Sequence, residues 1–231
     1  MVKNHLKRLA VPRTWDIDKK KNKFIMRSNP GGHRQDESVP LVVLFRDMLK
    51  KAKTVSEVKY ILNNKIVLKN GVKQTDVKAP VGLFDVITLP EIKASYRIIL
   101  NKKGKICAVG IDSADANKLP LKIRDKTLVK GGKVQLNFSN GGNMIIDKNN
   151  YSTGDVIVVD IDTKKMSAHI KLEKGCVVYL TGGKHSGITA AVEDIKGDKL
   201  VFKVGPDEIF ETSKEYAFAI GKDKPIIKFG D

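Results

Sequence analysis

The residues of this chain best suited to chemistry are its cations. Lys3, Lys7, Arg8, Arg13, Lys19, Lys20, Lys21, Lys23, Arg27 and Arg34 crowd the first 34 positions against only Asp16 and Asp18. Trp15, Phe24 and the turn Asn29-Pro30-Gly31-Gly32 interrupt them. Ammonium and guanidinium groups at that density make a local field suited to phosphates, whose neutralisation releases counterions. Spacings that would do covalent chemistry are missing. Gly183-Lys184 has Val178 where a phosphate-binding loop needs its first glycine, and His185 follows where Ser or Thr belongs. His5, His33, His169 and His185 are dispersed without a cysteine or carboxylate cluster at ligand spacing, so zinc is not expected. Asp160-Ile161-Asp162 imitates the start of a calcium loop, but Lys164 and Lys171 stand where oxygen ligands belong. A strand running into a turn is the reading there. Cys107 and Cys176 fit neither a metal site nor a disulfide framework and read as small buried hydrophobes. No catalytic residue, metal or cofactor is expected.

The chain has 231 residues, 41% hydrophobic and 30% charged, which excludes collagenous and wholly disordered classes and leaves room for one to two domains, or three if they are small. Its net charge of +17 points to a polyanionic partner. The excess is uneven: residues 1–34 carry ten basic side chains against two acidic, whereas 173–231 carry nine against ten. The apolar runs are too short for a membrane span, and the N-terminus lacks the apolar stretch of an export signal, so a cytoplasmic location is expected. A mitochondrial presequence is the other reading of a basic N-terminus. It fits poorly, because Lys dominates and Pro12, Pro30 and two glycines break any amphipathic helix. The segment 1–38 reads as a basic arm, extended until it meets a partner surface, with Trp15 either stacking on a base or packing inward.

From Ser38 the spacing predicts a helix, with Leu41, Leu44, Phe45, Met48, Leu49 and Ala52 on one face, Ser38 as N-cap and Pro40 in the first turn. Arg46, Lys50 and Lys53 fall on a different face. A second helix begins at the capping box Thr54 to Glu57 and reaches Asn63-Asn64. Lys65 to Leu68 reads as a strand, Asn70-Gly71 as a hairpin turn with Lys73 on the return, and Val86 to Leu89 as the closing strand. Beyond Pro90 only short strands set off by turns follow, with a boundary near residue 173. Residues 112–126, polar with Pro120 inside, read as a long loop or a short helix. The fold class is α+β and multi-module: a two-helix plus hairpin unit (39–90), a central β-rich domain (91–172) and a second β-rich, barrel-like module with a short tail (173–231).

The segment GCVVYLTGGKHSGITAAVEDI from Gly175 resembles the KOW motif of ribosomal proteins and transcription elongation factors. Its turn is Gly182, Gly183, Lys184, His185, Ser186 and Gly187, with Gly187 expected at positive φ, where exposed amides and Lys184 can meet a phosphate. The family often has glycine where Ala190 stands, which changes the strand entry. The 41–90 stretch, with NNKIVLKNGVKQTD and DVITL, resembles the alpha-L RNA-binding motif. Taken with NPGGH in the basic arm and the tail GKDKPIIKFGD, the whole order is similar to small-subunit ribosomal protein four of the eukaryotic and archaeal type. The short C-terminus resembles archaeal members, and the KOW resemblance implies an SH3-like barrel.

The resemblance implies a structural constituent of the small ribosomal subunit, resident in the cytoplasmic ribosome. Its partners would be ribosomal RNA and neighbouring ribosomal proteins, with no membrane and no small-molecule substrate. The basic arm would order on docking, while Arg46, Lys50, Lys53, Lys65 and Lys73 set register and the KOW turn contacts RNA or a neighbouring protein. Two alternatives stand beside it. One is an RNA-modifying enzyme delivered by the alpha-L unit, for which Asp112 and Asp115 are the candidate acids, although too little chain follows for the usual catalytic domain. The other is a KOW-containing transcription or translation factor.

Overall fold

A computed structural model describes residues 5–147, 149–205, 208–222 and 225–226. Lys3 of the basic segment and most of the tail GKDKPIIKFGD lie outside these residues. The chain is β-rich with few, short helices, and its contacts group into two compact units. No described helix is long and apolar enough to cross a membrane.

The first unit holds residues 1–100 and 105–117. Strands β1 (Leu6–Lys7) and β2 (Phe24–Ile25) pair antiparallel within the basic segment. Next come β3 (Ser38–Pro40) and α1 (Leu41–Val43), which widens into a π-helical turn over Leu44–Met48, and then α2 (Val55–Asn64). The first helix is thus shorter than its periodicity predicts. Ser38 belongs to β3, which pairs with β6 (Pro80–Gly82), and its hydroxyl donates to the Arg34 carbonyl instead of capping the helix. At α2 the capping box forms: the Thr54 hydroxyl accepts from the Glu57 amide at 3.2 Å, while the Glu57 carboxylate accepts from the Lys53 amide at 2.8 Å. Strands β4 (Leu68–Lys69) and β5 (Val72–Lys73) make the hairpin. Asn70 and Gly71 both have positive φ at its tip, as a tight right-twisting turn requires. With β7 (Val86–Leu89), β8 (Ala94–Leu100) and β9 (Ile106–Ile111) these form a sheet of order β5-β4-β7-β8-β9, after which comes the short α3 (Ser113–Ala116).

The N-terminal segment departs from the expectation of an extended arm. Val11, Trp15 and Ile25 are buried, Trp15 to 1% exposure. The indole N–H of Trp15 donates to the Ser38 carbonyl at 2.9 Å, and Trp15 bridges to Ile106 as a parallel extension of the β9 edge. Only a few apolar side chains are needed, because the rest of the unit supplies the surface they pack on.

The second unit comprises residues 101–104 and 118–228. Strands β10 (Lys118–Leu128), β11 (Val134–Phe138), β12 (Asn143–Ile146), β13 (Val156–Asp160) and β14 (Met166–Ile170) form a sheet of order β12-β11-β10-β13-β14. Its core includes Leu121, Ile123, Leu136, Phe138 and Ile157. The long strand β10 replaces most of the loop expected at 112–126. Pro120 is tolerated there because residues 118–122 pair only with β13, leaving one side of the strand without ladder bonds to lose. After β13, the Asp160 carboxylate accepts from the Asp162 and Thr163 amides, so the calcium-like stretch is a strand running into a turn. Strands β15 (Val177–Leu180), β16 (Thr189–Lys196), β17 (Lys199–Val204), β18 (Glu208–Ser213) and β19 (Ala217–Gly221) make a second antiparallel sheet of order β18-β17-β16-β15-β19. The Lys122 ammonium on β10 donates to the carbonyls of Lys214, Glu215 and Ala217 and thereby ties the two sheets together.

Candidate nucleic-acid interface

A cleft of about 1020 Å³ opens in the first unit between the N-terminal segment, the π-helical turn and the start of β9. Six cations line it, Arg8, Lys21, Arg46, Lys50, Lys53 and Lys105, against three carboxylates, Asp16, Asp18 and Asp47. Between them lie Asn22 and the apolar side chains of Ile17, Met48, Leu49, Ala52, Ile106, Cys107 and Ala108. The π-helical turn and the left-handed Lys50 (φ 52°) that follows it aim Arg46, Lys50 and Lys53 at this one space. π-Bulges of this kind recur at functional sites, because the extra residue re-aims side chains that an even helix would fan apart.

Two of the three carboxylates are already neutralised. Asp47 accepts from Arg46 at 2.7 Å and is 3.6 Å from the Arg8 guanidinium, and Asp16 accepts from Lys105 at 2.7 Å. Arg8 is 2% exposed and also donates to the Asp18 carbonyl at 2.9 Å, so it organises the cleft wall from within. Lys21, Lys50 and Lys53 are exposed. Burial pushes the Cys107 thiol up, with the nearby Asp16 charge acting the same way, so it stays protonated as a lining hydrophobe.

The other sequence-predicted cations of this unit lie outside the cleft. Lys7, Arg13, Lys19, Lys20, Lys23, Arg27 and Arg34 are exposed along the N-terminal segment. Lys23 sits 5.5 Å from the centre of the Phe24 ring, and Arg34 pairs with Asp36 at 3.5 Å. Lys73 is exposed on β5. Lys65 donates to Glu91 at 2.8 Å, a hydrogen bond that raises its pKa and leaves one cation partly occupied. Sequence reasoning missed Lys105, Asp16 and Asp18 as parts of the site. Lys105 and Asp16 meet across 89 positions, and no local pattern records such a pairing.

His33, in the NPGGH stretch, has a further role that its isolation in sequence conceals. Asp85 is 1% exposed and holds the imidazole at 3.1 Å, the Lys69 ammonium at 3.0 Å, the Gly82 amide at 2.8 Å and the Asn70 side-chain amide at 2.7 Å. A Cβ on Gly82 would overlap the imidazole ring, so glycine is what admits His33. This cluster fastens the basic segment to the helix-hairpin elements that carry Arg46, Lys50 and Lys53.

In the second unit the turn between β15 and β16 keeps Lys184 exposed. Gly183 and Gly187 have φ of 81° and 82°, in line with the expectation for Gly187. The Gly187 amide donates to Leu180 at 2.7 Å, and the Tyr216 ring lies where a Gly182 Cβ would stand. His185 stacks on Phe210 with ring centres 4.2 Å apart, while Ser186 is half-buried. Ala190 is buried in β16 opposite Val178, an ordinary ladder position.

Comparison with known proteins identifies the family. Residues 92–166 match the family described as Ribosomal family S4e, and residues 2–36 match the RS4NT (NUC023) domain. The small ribosomal subunit protein eS4 of Methanocella arvoryzae is 40% identical over 99% of this chain and 98% of its own length. That of Archaeoglobus fulgidus is 40% identical over the full length of both. The crystal structure of the 30S ribosomal protein S4e from Thermoplasma acidophilum superposes with a TM-score of 0.72 at 31% identity, covering 81% of this chain and 96% of that one. The chain therefore belongs to the S4e family of small-subunit ribosomal proteins.

Proposed function

We propose that this protein is a structural constituent of the small ribosomal subunit that binds and stabilises folded ribosomal RNA. The observation that carries the proposal is the cleft of the first unit, where cations outnumber carboxylates two to one and most of the carboxylate charge is already paired. Lys21, Lys50 and Lys53, together with the exposed Lys7, Arg13, Lys19, Lys20, Lys23, Arg27, Arg34 and Lys73, neutralise phosphates. Arg8 and Lys65 hold the surface in shape. RNA duplexes hide their major-groove edges, so specificity comes from matching a folded RNA surface and from its exposed bases.

On this reading residues 1–38 are the basic segment, 39–90 an alpha-L unit, 91–172 a central β-rich domain and 173–231 a KOW module of SH3-like barrel form. The turn with Lys184 makes a separate contact with RNA or a neighbouring ribosomal protein. The site of action is the ribosome of the cytoplasm. The protein is not an enzyme, in keeping with its family. Asp112 and Asp115 flank the start and body of the short α3, and the Asp115 carbonyl accepts from the buried Arg97.

Binding of the purified protein to small-subunit ribosomal RNA across a salt series tests the proposal. Each neutralised phosphate contributes roughly 0.7 to 0.9 to the logarithmic salt slope. Lys50→Glu with Lys53→Glu is expected to weaken binding by at least about tenfold and to lower the slope by about 1 to 2. Affinity and slope equal to those of the unmodified protein would remove the cleft from the interface.

A further inference from the structure

We propose that the cleft of the first unit receives a single unpaired nucleotide extruded from the RNA, with its base against the apolar floor and its phosphates on the lysine rim. The proposal rests on the RNA-binding reading and adds what that surface takes. A surface that meets only duplex backbone has use for charge and hydrogen-bond donors, and apolar side chains beside phosphate would be a cost. Here the cations share a concave space with Ile17, Met48, Leu49, Ala52, Cys107 and Ala108. A volume near 1020 Å³ exceeds what one nucleotide fills, and the lining is of two kinds, as the two halves of a nucleotide are.

The carboxylates point the same way. A carboxylate inside a phosphate-binding cleft repels the backbone unless it is paired or meets a donor on the ligand. Asp16 and Asp47 are paired. The Asp18 carboxylate makes no side-chain hydrogen bond or ion pair among the described residues, and it lines the same space. An acceptor-only group fits the amino and imino N–H groups on the Watson–Crick edge of a base, which pairing occupies in a duplex and an unpaired base leaves open. Unpaired bases are also what proteins recognise when they bind RNA specifically. The Arg46 guanidinium, held in plane by its two hydrogen bonds to Asp47, offers a flat face against which such a base can stack.

The floor and the rim can be tested separately. Ala108→Phe fills the floor without changing charge. It is expected to weaken binding to small-subunit ribosomal RNA by roughly tenfold, the scale of losing one stacked base, and to leave the salt slope unchanged. Ultraviolet crosslinking of the unmodified protein to the same RNA, read by mass spectrometry and reverse transcription, is expected to join peptides bearing Met48, Leu49 or residues 105–108 to an unpaired nucleotide. Wild-type affinity for Ala108→Phe, or crosslinks from these peptides only to paired nucleotides, would overturn the inference and leave the phosphate-binding reading intact. A salt slope near zero for the unmodified protein would defeat the reading itself and the inference with it. Because the crosslink uses the native chain, misfolding of Ala108→Phe cannot shield the proposal.

Discussion

Asp85 sits among His33, Lys69, Asn70 and the Gly82 amide with almost no solvent contact. Burial by itself would raise its pKa. The hydrogen bond and charge of His33, the charge of Lys69 and the Gly82 amide outweigh that and hold the carboxyl well below the usual carboxylate range. A lowered native pKa means that the unfolded chain takes up the proton first as pH falls. The stabilisation is therefore complete above about pH 4, the ordinary aspartate value, and is lost progressively below it. Asp85→Asn leaves the Lys69 ammonium without its anion and the His33 imidazole without its carboxylate partner, and should cost about 3 kcal/mol at pH 7. It should also flatten the decline of stability between pH 5 and pH 3, which urea midpoints at each pH would measure. Parallel declines in variant and wild type would show that other carboxyls govern the acid limb. Neither partner was legible as such. His33 was visible as one of four scattered histidines and as the end of NPGGH, and a buried ion pair leaves no periodic trace in sequence.

Among the elements, α2 was the most readable, because its start depends on chemistry confined to four residues. Thr54 and Glu57 form the reciprocal cap that their spacing predicts. Thr54→Ala should lower stability by about 1 kcal/mol, seen in the denaturation midpoint. The salt slope of the folded protein should not change, since Thr54 donates to no cleft residue; an altered slope would show that α2 also sets the register of Lys50 and Lys53. Short strands beyond Pro90 are present as expected, β17 among them, set between Gly197 and Gly205. Elements whose identity depends on distant partners were misread. The helix from Leu41 was overextended, since apolar spacing does not register a π-helical turn or the left-handed Lys50. Strand β10 was hidden by Pro120 and by polar residues on its exposed end, and it becomes intelligible only once β13 is known to pair on one side. The cleft was half legible: Arg46, Lys50 and Lys53 follow from helical spacing, whereas Lys105 and Ala108 reach it from a strand far along the chain.

For the whole molecule the sequence reading rightly saw a surplus of charge concentrated toward the N-terminus, and was mistaken about the state of the segment that carries it. Trp15, Val11 and His33 are built into the first unit, so deleting residues 1–34 would strip core as well as charge. Substituting Lys19, Lys20, Lys21 and Lys23 together with Gln isolates the charge. The variant should melt within a few degrees of wild type, since all four side chains are exposed. Its salt slope on small-subunit ribosomal RNA should fall by roughly 0.7 to 0.9 for each lysine that meets a phosphate. An unchanged slope would assign these lysines to solubility alone.

The most direct measurement follows the native protein through a lysate gradient before and after a high-salt wash. A structural constituent should sediment with small subunits, remain stoichiometric after washing and protect a defined set of ribosomal RNA nucleotides. Sedimentation at the top of the gradient, or substoichiometric association lost on washing, would contradict that role and mark a transient factor.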